Sequence, residues 1–399
     1  MSVTEQGYRI SRVARDLRPS GIREFFDLVV GMDDVISLGV GEPDFPTPWR
    51  ACDAVIESLR RGATSYTSNR GTTELRVEIA EYLGRRFGVQ YDPEEEILVT
   101  VGASEAVDLA MRVLLDAGDE LLVPDPCYVS YAPCVELAYG RAVAVPTLLE
   151  DEFGIKSAAL RAACTERTRG LLFCNPSNPT GAIMRRNDLE EVAEVARDRD
   201  LLVISDEIYA ELTYEGPHCS FASLPGMRER TLLLNGFSKA DAMTGWRIGY
   251  ACGPAEIIEA MTRIHAYTTM CVPVMAQTAA TEALRHGADD RARMVAEYDQ
   301  RRRVFVTGLN RIGLDCFVPM GAFYAFPSIR STGLTSQQFA KALLADQRVA
   351  VVPGDAFGAG GEGHVRCSYA SSIGDLRDAL ARIEVFLRRL EAGEVMIQP

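Results

Sequence analysis

Between Ile97 and Lys239 the chain alternates between strand and helix patterns: short apolar runs of strand length, a polar residue or turn, then apolar residues at helical spacing. Ile97 to Val101 is expected to be a strand, Gly102-Ala103 a turn, and Ser104 to Leu115 a helix that stops near Gly118. Leu121 to Val123 and Leu171 to Cys174 are further strands, the first ended by Pro124. Leu189, Val192, Ala193 and Ala196 then recur with the period of a helix. Leu201 to Ser205 is apolar and carries Asp206 at its end; Thr231 to Asn235 repeats the pattern with Lys239 just beyond. Alternation of this kind builds a mainly parallel sheet covered by helices. Ligands of such sheets sit beyond the C-terminal ends of the strands. Asn178, Asp206 and Lys239 all follow expected strand ends, so their positions agree with one another.

After about residue 285 the character changes. The charged stretch Arg291 to Arg303 is expected to be a long exposed helix. Gly321 to Phe326, Val349 to Val352 and Val365 to Tyr369 are expected strands, and Leu376, Ala379, Leu380, Ile383, Phe386 and Leu387 mark a closing amphipathic helix. A chain of 399 residues is long for one core and suits two domains. The expected division is a large α/β domain over 49–285 and a smaller α+β domain built discontinuously from 1–48 and 286–399.

A net charge of −14 argues against nucleic acid as a partner and against a basic membrane-docking face. No apolar run approaches the roughly 20 residues that span a bilayer, and Met1 to Ile10 lacks the apolar core of a signal peptide. The ten cysteines form no C-x-x-C pair and lie scattered among apolar stretches, the pattern of reduced cytoplasmic thiols. Four histidines show no metal-ligand spacing. The expectation is a cytoplasmic protein without a metal, in which a lysine rather than a histidine carries the chemistry.

That lysine is Lys239. It lies in Asn235-Gly236-Phe237-Ser238-Lys239, and Thr244-Gly245-Trp246-Arg247 follows at once. A lysine forms an imine only when deprotonated, so its pKa must be lowered by burial or by nearby positive charge such as Arg247. Asp206, in Ser205-Asp206-Glu207-Ile208-Tyr209, is a carboxylate at a strand end that suits a protonated ring nitrogen. The Tyr209 hydroxyl and the Asn178 amide are placed to reach a phenolic oxygen. Backbone N–H groups at the helix opening by Ala103 and Ser104 bind phosphate, and Ser238 and Arg247 add donors. Tyr128 offers a ring for stacking. Arg366, on an apolar strand, needs an anionic partner, and a guanidinium fork suits a substrate carboxylate. An amine, a carboxylate and a phosphate cup together suit pyridoxal 5'-phosphate (PLP). Gly39-Val40-Gly41 lacks the third glycine and the helix of a dinucleotide fingerprint.

With these residues assembled, the chain resembles the class I aminotransferases, PLP enzymes of fold type I. The resemblance runs from Ser37-Leu38-Gly39-Val40-Gly41-Glu42-Pro43-Asp44-Phe45 to Arg366 and the final helix. It implies a large domain with a mostly parallel seven-stranded sheet and a smaller α+β domain. It implies that Lys239 holds the cofactor and shuttles the proton, and that Asp206 partners the ring nitrogen. Asn178 and Tyr209 then ligate the phenolic oxygen. Ala103, Ser104, Ser238 and Arg247 form the phosphate site, and Tyr128 stacks. Arg366 binds the substrate α-carboxylate, with Gly41 and Asn178 beside it. Tyr66 matches a tyrosine that the family lends to the neighbouring subunit, which implies a homodimer with shared active sites. Gly236 departs from family members that have a serine there.

Several stretches, among them Val129-Ser130-Tyr131-Ala132-Pro133 and Val351-Val352-Pro353-Gly354, look closest to the aromatic-amino-acid branch. The implied reaction is a ping-pong transfer between an L-amino acid, aromatic side chains favoured, and 2-oxoglutarate. An aspartate- or alanine-type aminotransferase is the alternative, with Arg23 as a candidate distal-carboxylate contact. A PLP-dependent lyase, of the C–S lyase or aminocyclopropane carboxylate synthase kind, would keep the same lysine, aspartate and arginine. A PLP-sensing regulator is disfavoured by the acidic charge and by the short stretch before Ser37.

Overall fold

The computed structural model describes residues 10–17, 19, 21 and 31–397. Seven strands form its main sheet: β2 (Ile97–Thr100), β3 (Glu120–Asp125), β4 (Arg141–Pro146), β5 (Thr168–Cys174), β6 (Leu202–Asp206), β7 (Thr231–Gly236) and β8 (Gly249–Cys252), in the spatial order β2-β8-β7-β6-β5-β3-β4. Only β8 runs antiparallel to its neighbours; β3–β4, β3–β5, β5–β6 and β6–β7 are parallel. The central strands are apolar along their length because helices cover both faces. Leu98, Leu121, Leu172, Ile204 and Leu232 meet Ala106, Leu109 and Met111 of the helix Gly102–Leu114 on one face. Leu171, Phe173 and Val203 meet Leu189, Val192 and Ala196 of the helix Arg186–Asp198 on the other.

Five short strands lie outside this sheet. β1 (Ile36–Ser37) pairs in parallel with β10 (Val349–Ala350). β9 (Tyr324–Ala325), β11 (Val352–Pro353) and β12 (Val365–Ser368) form a second sheet with β12 central. Leu38 joins Phe305, Leu343, Ile383 and Phe386 in the core beneath them, so the segment after β1 packs with the C-terminal part of the chain.

The expected strands fall within the observed ones to a residue or two, with three corrections. Gly321 to Phe326 is strand only at Tyr324–Ala325, because Ala322 takes a positive φ of 55° and turns the chain out of the extended region. Val349 to Val352 is two strands in different sheets, since Val349–Ala350 pairs with β1 and Val352–Pro353 with β12. The helix over Arg291 to Arg303 extends over Ala288–Arg311 and is not an exposed one. Arg291, Arg301 and Arg302 are buried in it beside Met294, Tyr298 and Phe305. Their aliphatic stems cover apolar surface while each guanidinium finds a carboxylate: Asp241, Asp44 and Asp299 respectively. β4 and β8 carry weak sequence signals and were not expected: β4 is an edge strand with scattered exposure, and β8 opens in the glycine of the Thr244–Tyr250 motif.

Candidate active site

The C-terminal ends of β5, β6 and β7 open onto a cavity of about 520 Å³. Lys239, Asp206, Asn178, Tyr209, Arg366 and Gly41 line it, and so do Ala103, Ser104, Tyr128, Ser238 and Arg247. Residues from both ends of the chain therefore share one space. Tyr66 is outside it and is 83% exposed. Arg23 lies outside the described residues.

Lys239 follows β7 and is half-buried, with its Nζ donating to the Gly41 carbonyl. Burial lowers its pKa to about 8, and the Arg366 cation pushes in the same direction while Glu42 opposes it. Asp206 ends β6. Its Oδ2 accepts from the Tyr131 hydroxyl at 2.7 Å and its Oδ1 from the Ile208 N–H at 3.1 Å. Burial nevertheless raises its pKa to about 6, because no cation offsets the lost hydration fully. Both shifts place groups with ordinary values far from neutrality near it, as chemistry at neutral pH requires.

Arg366 stands on β12 and is 2% exposed. Its Nη1 donates to Asn178 Oδ1 at 2.9 Å and its Nη2 to the Gly39 carbonyl at 2.7 Å. Its guanidinium lies 4.5 Å from the ring centre of Tyr324 and 4.9 Å from that of Phe357. The Nε is buried without a partner, and among the described residues no carboxylate lies within salt-bridge distance. A buried cation held only by neutral acceptors is an anion site still short of its anion.

The second cation is Arg247, at the opening of the helix Gly102–Leu114. Gly102 has φ +73°, and a Cβ there would stand 2.7 Å from Arg247 Nη2. The glycine thus lets the guanidinium lie against the helix N-terminus, whose free N–H groups carry partial positive charge. Ala103 and Ser104 lie in this first turn, and Ser238 lines the same cavity. The Tyr128 ring meets Tyr131 edge-on at 5.5 Å.

Two cavity tyrosines were not expected as site residues from the sequence. Tyr131 holds Asp206, and the Tyr324 hydroxyl lies 2.7 Å from that of Tyr209. Tyr131 opens the helix Tyr131–Leu137, and its N–H donates to the Tyr128 carbonyl at 3.1 Å across the preceding turn. Tyr324 carries no local signal.

Comparison with known proteins agrees with this geometry. Residues 33–383 match the family model for aminotransferase class I and II. The chain belongs to that family. Bacillus subtilis YugH, which carries an aminotransferase name, is 51% identical over 380 residues, covering 95% of this chain and 98% of that protein. The aspartate aminotransferase of Pyrococcus abyssi is 47% identical over 375 residues, 93% of this chain and 96% of the relative. The solved aromatic aminotransferase of Pyrococcus horikoshii superposes with a TM-score of 0.89 at 45% identity, covering 93% and 99% of the two chains. This aminotransferase is therefore an enzyme of a PLP-dependent family that uses amino acids and 2-oxo acids. Among its described residues no helix is long and apolar enough to cross a membrane. Its residues fit the family's cofactor on structural grounds: a lysine of lowered pKa, a buried carboxylate, and a glycine cradle beneath Arg247 share one cavity.

Proposed function

We propose that this aminotransferase binds PLP in the cavity and moves an amino group between an L-amino acid and 2-oxoglutarate, with aromatic amino acids as favoured donors. The observation that carries the reading is Arg366, a buried cation with no carboxylate partner among the described residues, lining one cavity with Lys239 and Asp206. Bound PLP supplies a carbonyl carbon for an amine and a protonated ring that draws electron density from it. Lys239 Nζ, partly unprotonated at neutral pH, holds the cofactor and carries the proton between substrate and cofactor carbons. Asp206 keeps the ring nitrogen protonated. Asn178 and Tyr209 serve the phenolic oxygen, Tyr128 stacks, and Ala103, Ser104, Ser238 and Arg247 take the phosphate. Arg366 binds the α-carboxylate, and Gly41 borders the substrate.

Tyr66, exposed in one chain, is proposed to complete the cavity of a partner copy in a homodimer. The proposed domains are 49–285 and the discontinuous 1–48 with 286–399, supported by the separation of the seven-stranded sheet from the two smaller ones. Cytoplasmic placement is supported by ten cysteines without a disulfide.

The aspartate-type alternative has its own support in the Pyrococcus abyssi relative. A half-reaction screen decides between them. The PLP-loaded protein is mixed with single amino acids and loss of the cofactor's visible band is followed, with Lys239→Ala as control. Fast conversion by Phe, Tyr and Glu supports the aromatic reading. Conversion by Asp and Glu alone moves the substrate to the aspartate type. Release of pyruvate or ammonia without conversion overturns transfer in favour of elimination.

A further inference from the structure

Tyr324 touches three of the proposed site groups at once. Its hydroxyl lies 2.7 Å from the Tyr209 hydroxyl. Its ring carries the Arg366 guanidinium 4.5 Å from its centre. A Cβ placed on Gly41 would meet the Tyr324 oxygen at 2.8 Å, so this hydroxyl also borders the Gly41 loop. Tyr324 is 1% exposed and Tyr209 3%. For each hydroxyl the other is its one hydrogen-bond partner among the described residues.

Hydrogen-bond counting gives this pair a defined capacity. Two phenols carry two O–H protons and share one bond between them. One proton is consumed in that bond. The other belongs to whichever tyrosine accepts, and it has no protein partner. When Tyr324 donates, the spare proton is that of Tyr209 and is free for the cavity. Donation into the Tyr209 oxygen also polarises its O–H and makes it the stronger donor.

We propose that Tyr324 is a positioning residue with two separable parts: its hydroxyl orients and strengthens the Tyr209 O–H toward the cofactor's phenolic oxygen, and its ring seats Arg366 for the substrate carboxylate. This rests on the PLP reading of the cavity. The two parts are separable because phenylalanine removes the hydroxyl and keeps the ring, whereas leucine removes both.

The test uses PLP-loaded wild type, Tyr324→Phe, Tyr324→Leu, Tyr209→Phe and the Tyr209→Phe/Tyr324→Phe double variant. The first readout is the pH midpoint of the bound cofactor's absorbance without substrate. The second is the KM for an amino acid donor. A donor to the phenolic oxygen favours its anionic form, so weakening it raises the midpoint. Tyr324→Phe is expected to raise the midpoint by about half to one pH unit, the size of one ordinary hydrogen bond, with KM within about twofold. The double variant is expected to match Tyr209→Phe alone, because Tyr324 acts through Tyr209. Tyr324→Leu is expected to raise KM about fivefold or more, the weight of a desolvated cation–π contact. An unchanged midpoint in Tyr324→Phe overturns the hydroxyl's role, and so does an additive double variant. A KM in Tyr324→Leu equal to that of Tyr324→Phe overturns the ring's role. A wild-type protein that takes up no PLP overturns the functional reading itself, and this inference with it.

Discussion

The lowered pKa of Lys239 is open to direct measurement, and the chain is suited to it. It has three lysines: Lys156, Lys239 and Lys341. Lys156 and Lys341 are exposed and serve as internal references. With a pKa of about 8, roughly one Lys239 amine in ten is unprotonated at pH 7, against about one in 3,000 at the ordinary value of 10.5. The free amine is thus enriched about 300-fold. Protein freed of PLP is labelled with a small amine-reactive reagent at a series of pH values, and each lysine is quantified by mass spectrometry. The cavity is roomy enough to admit such a reagent, and the midpoint of the pH curve, unlike the rate, does not depend on access. Lys239 is expected to reach half-maximal reactivity near pH 8, more than two pH units below the ordinary lysine value of 10.5. The causes are tested by sign. Arg366→Met removes a cation and moves the midpoint up; Glu42→Gln removes an anion that favours the ammonium form and moves it down. A Lys239 midpoint at the ordinary 10.5, or the two variants shifting in the same direction, would refute the electrostatic reasoning.

Three further outcomes follow from single contacts. Asp206 has a folded pKa of about 6 against an ordinary 3.8, so the folded state binds its proton more tightly than the unfolded chain does. Stability is therefore lost as pH rises from about 4 to 6, and the loss across that window is roughly 2–3 kcal/mol. Asp206→Asn without PLP is expected to melt higher than wild type at pH 7.5, with the difference vanishing near pH 4. Arg291 and Asp241 form a buried pair at 2.7 Å, with side chains 8% and 7% exposed. Asp241→Ala strands the guanidinium and is expected to cost about 3–5 kcal/mol in chemical denaturation, with Asp241→Asn costing less. Gly102→Ala drives a methyl into Arg247 Nη2 and is expected to weaken PLP binding about tenfold in a cofactor titration, the loss of one charge-assisted contact. Gly62→Ala, at φ +79° with nothing within 4 Å, carries only the backbone strain and should leave that affinity within about twofold.

The half of the site that was legible in the sequence lies at ends of buried strands. Asp206 closes an apolar run, Lys239 and Asn178 come just after such runs, and the strand pattern put all three at one edge of the sheet. Arg366 was legible for a different reason: a cation among Val365 and Cys367 breaks the hydrophobic pattern, and a broken pattern needs a partner. What stayed hidden depended on contacts across the chain. Tyr131 meets Asp206 over 75 positions and Tyr324 meets Tyr209 over 115. The buried arginines of Ala288–Arg311 were invisible because hydropathy scores a guanidinium as exposed, whatever carboxylate the fold brings to it. These two kinds of buried charge differ in one respect. Arg291 and Arg301 have anions within the protein, so they answer to the fold. Arg366 lacks one among the described residues, and Asp206 is raised in pKa for want of a full cation. Each is a cost that folding alone does not offset, and opposite charges on a bound cofactor and substrate would offset both. Ligand binding should therefore reverse the sign of the Asp206→Asn effect. With PLP present, the variant that melts higher when empty should melt lower than wild type at the same pH, since only wild type gains the pairing. If the variant keeps its advantage with PLP bound, Asp206 does not face the cofactor's charge.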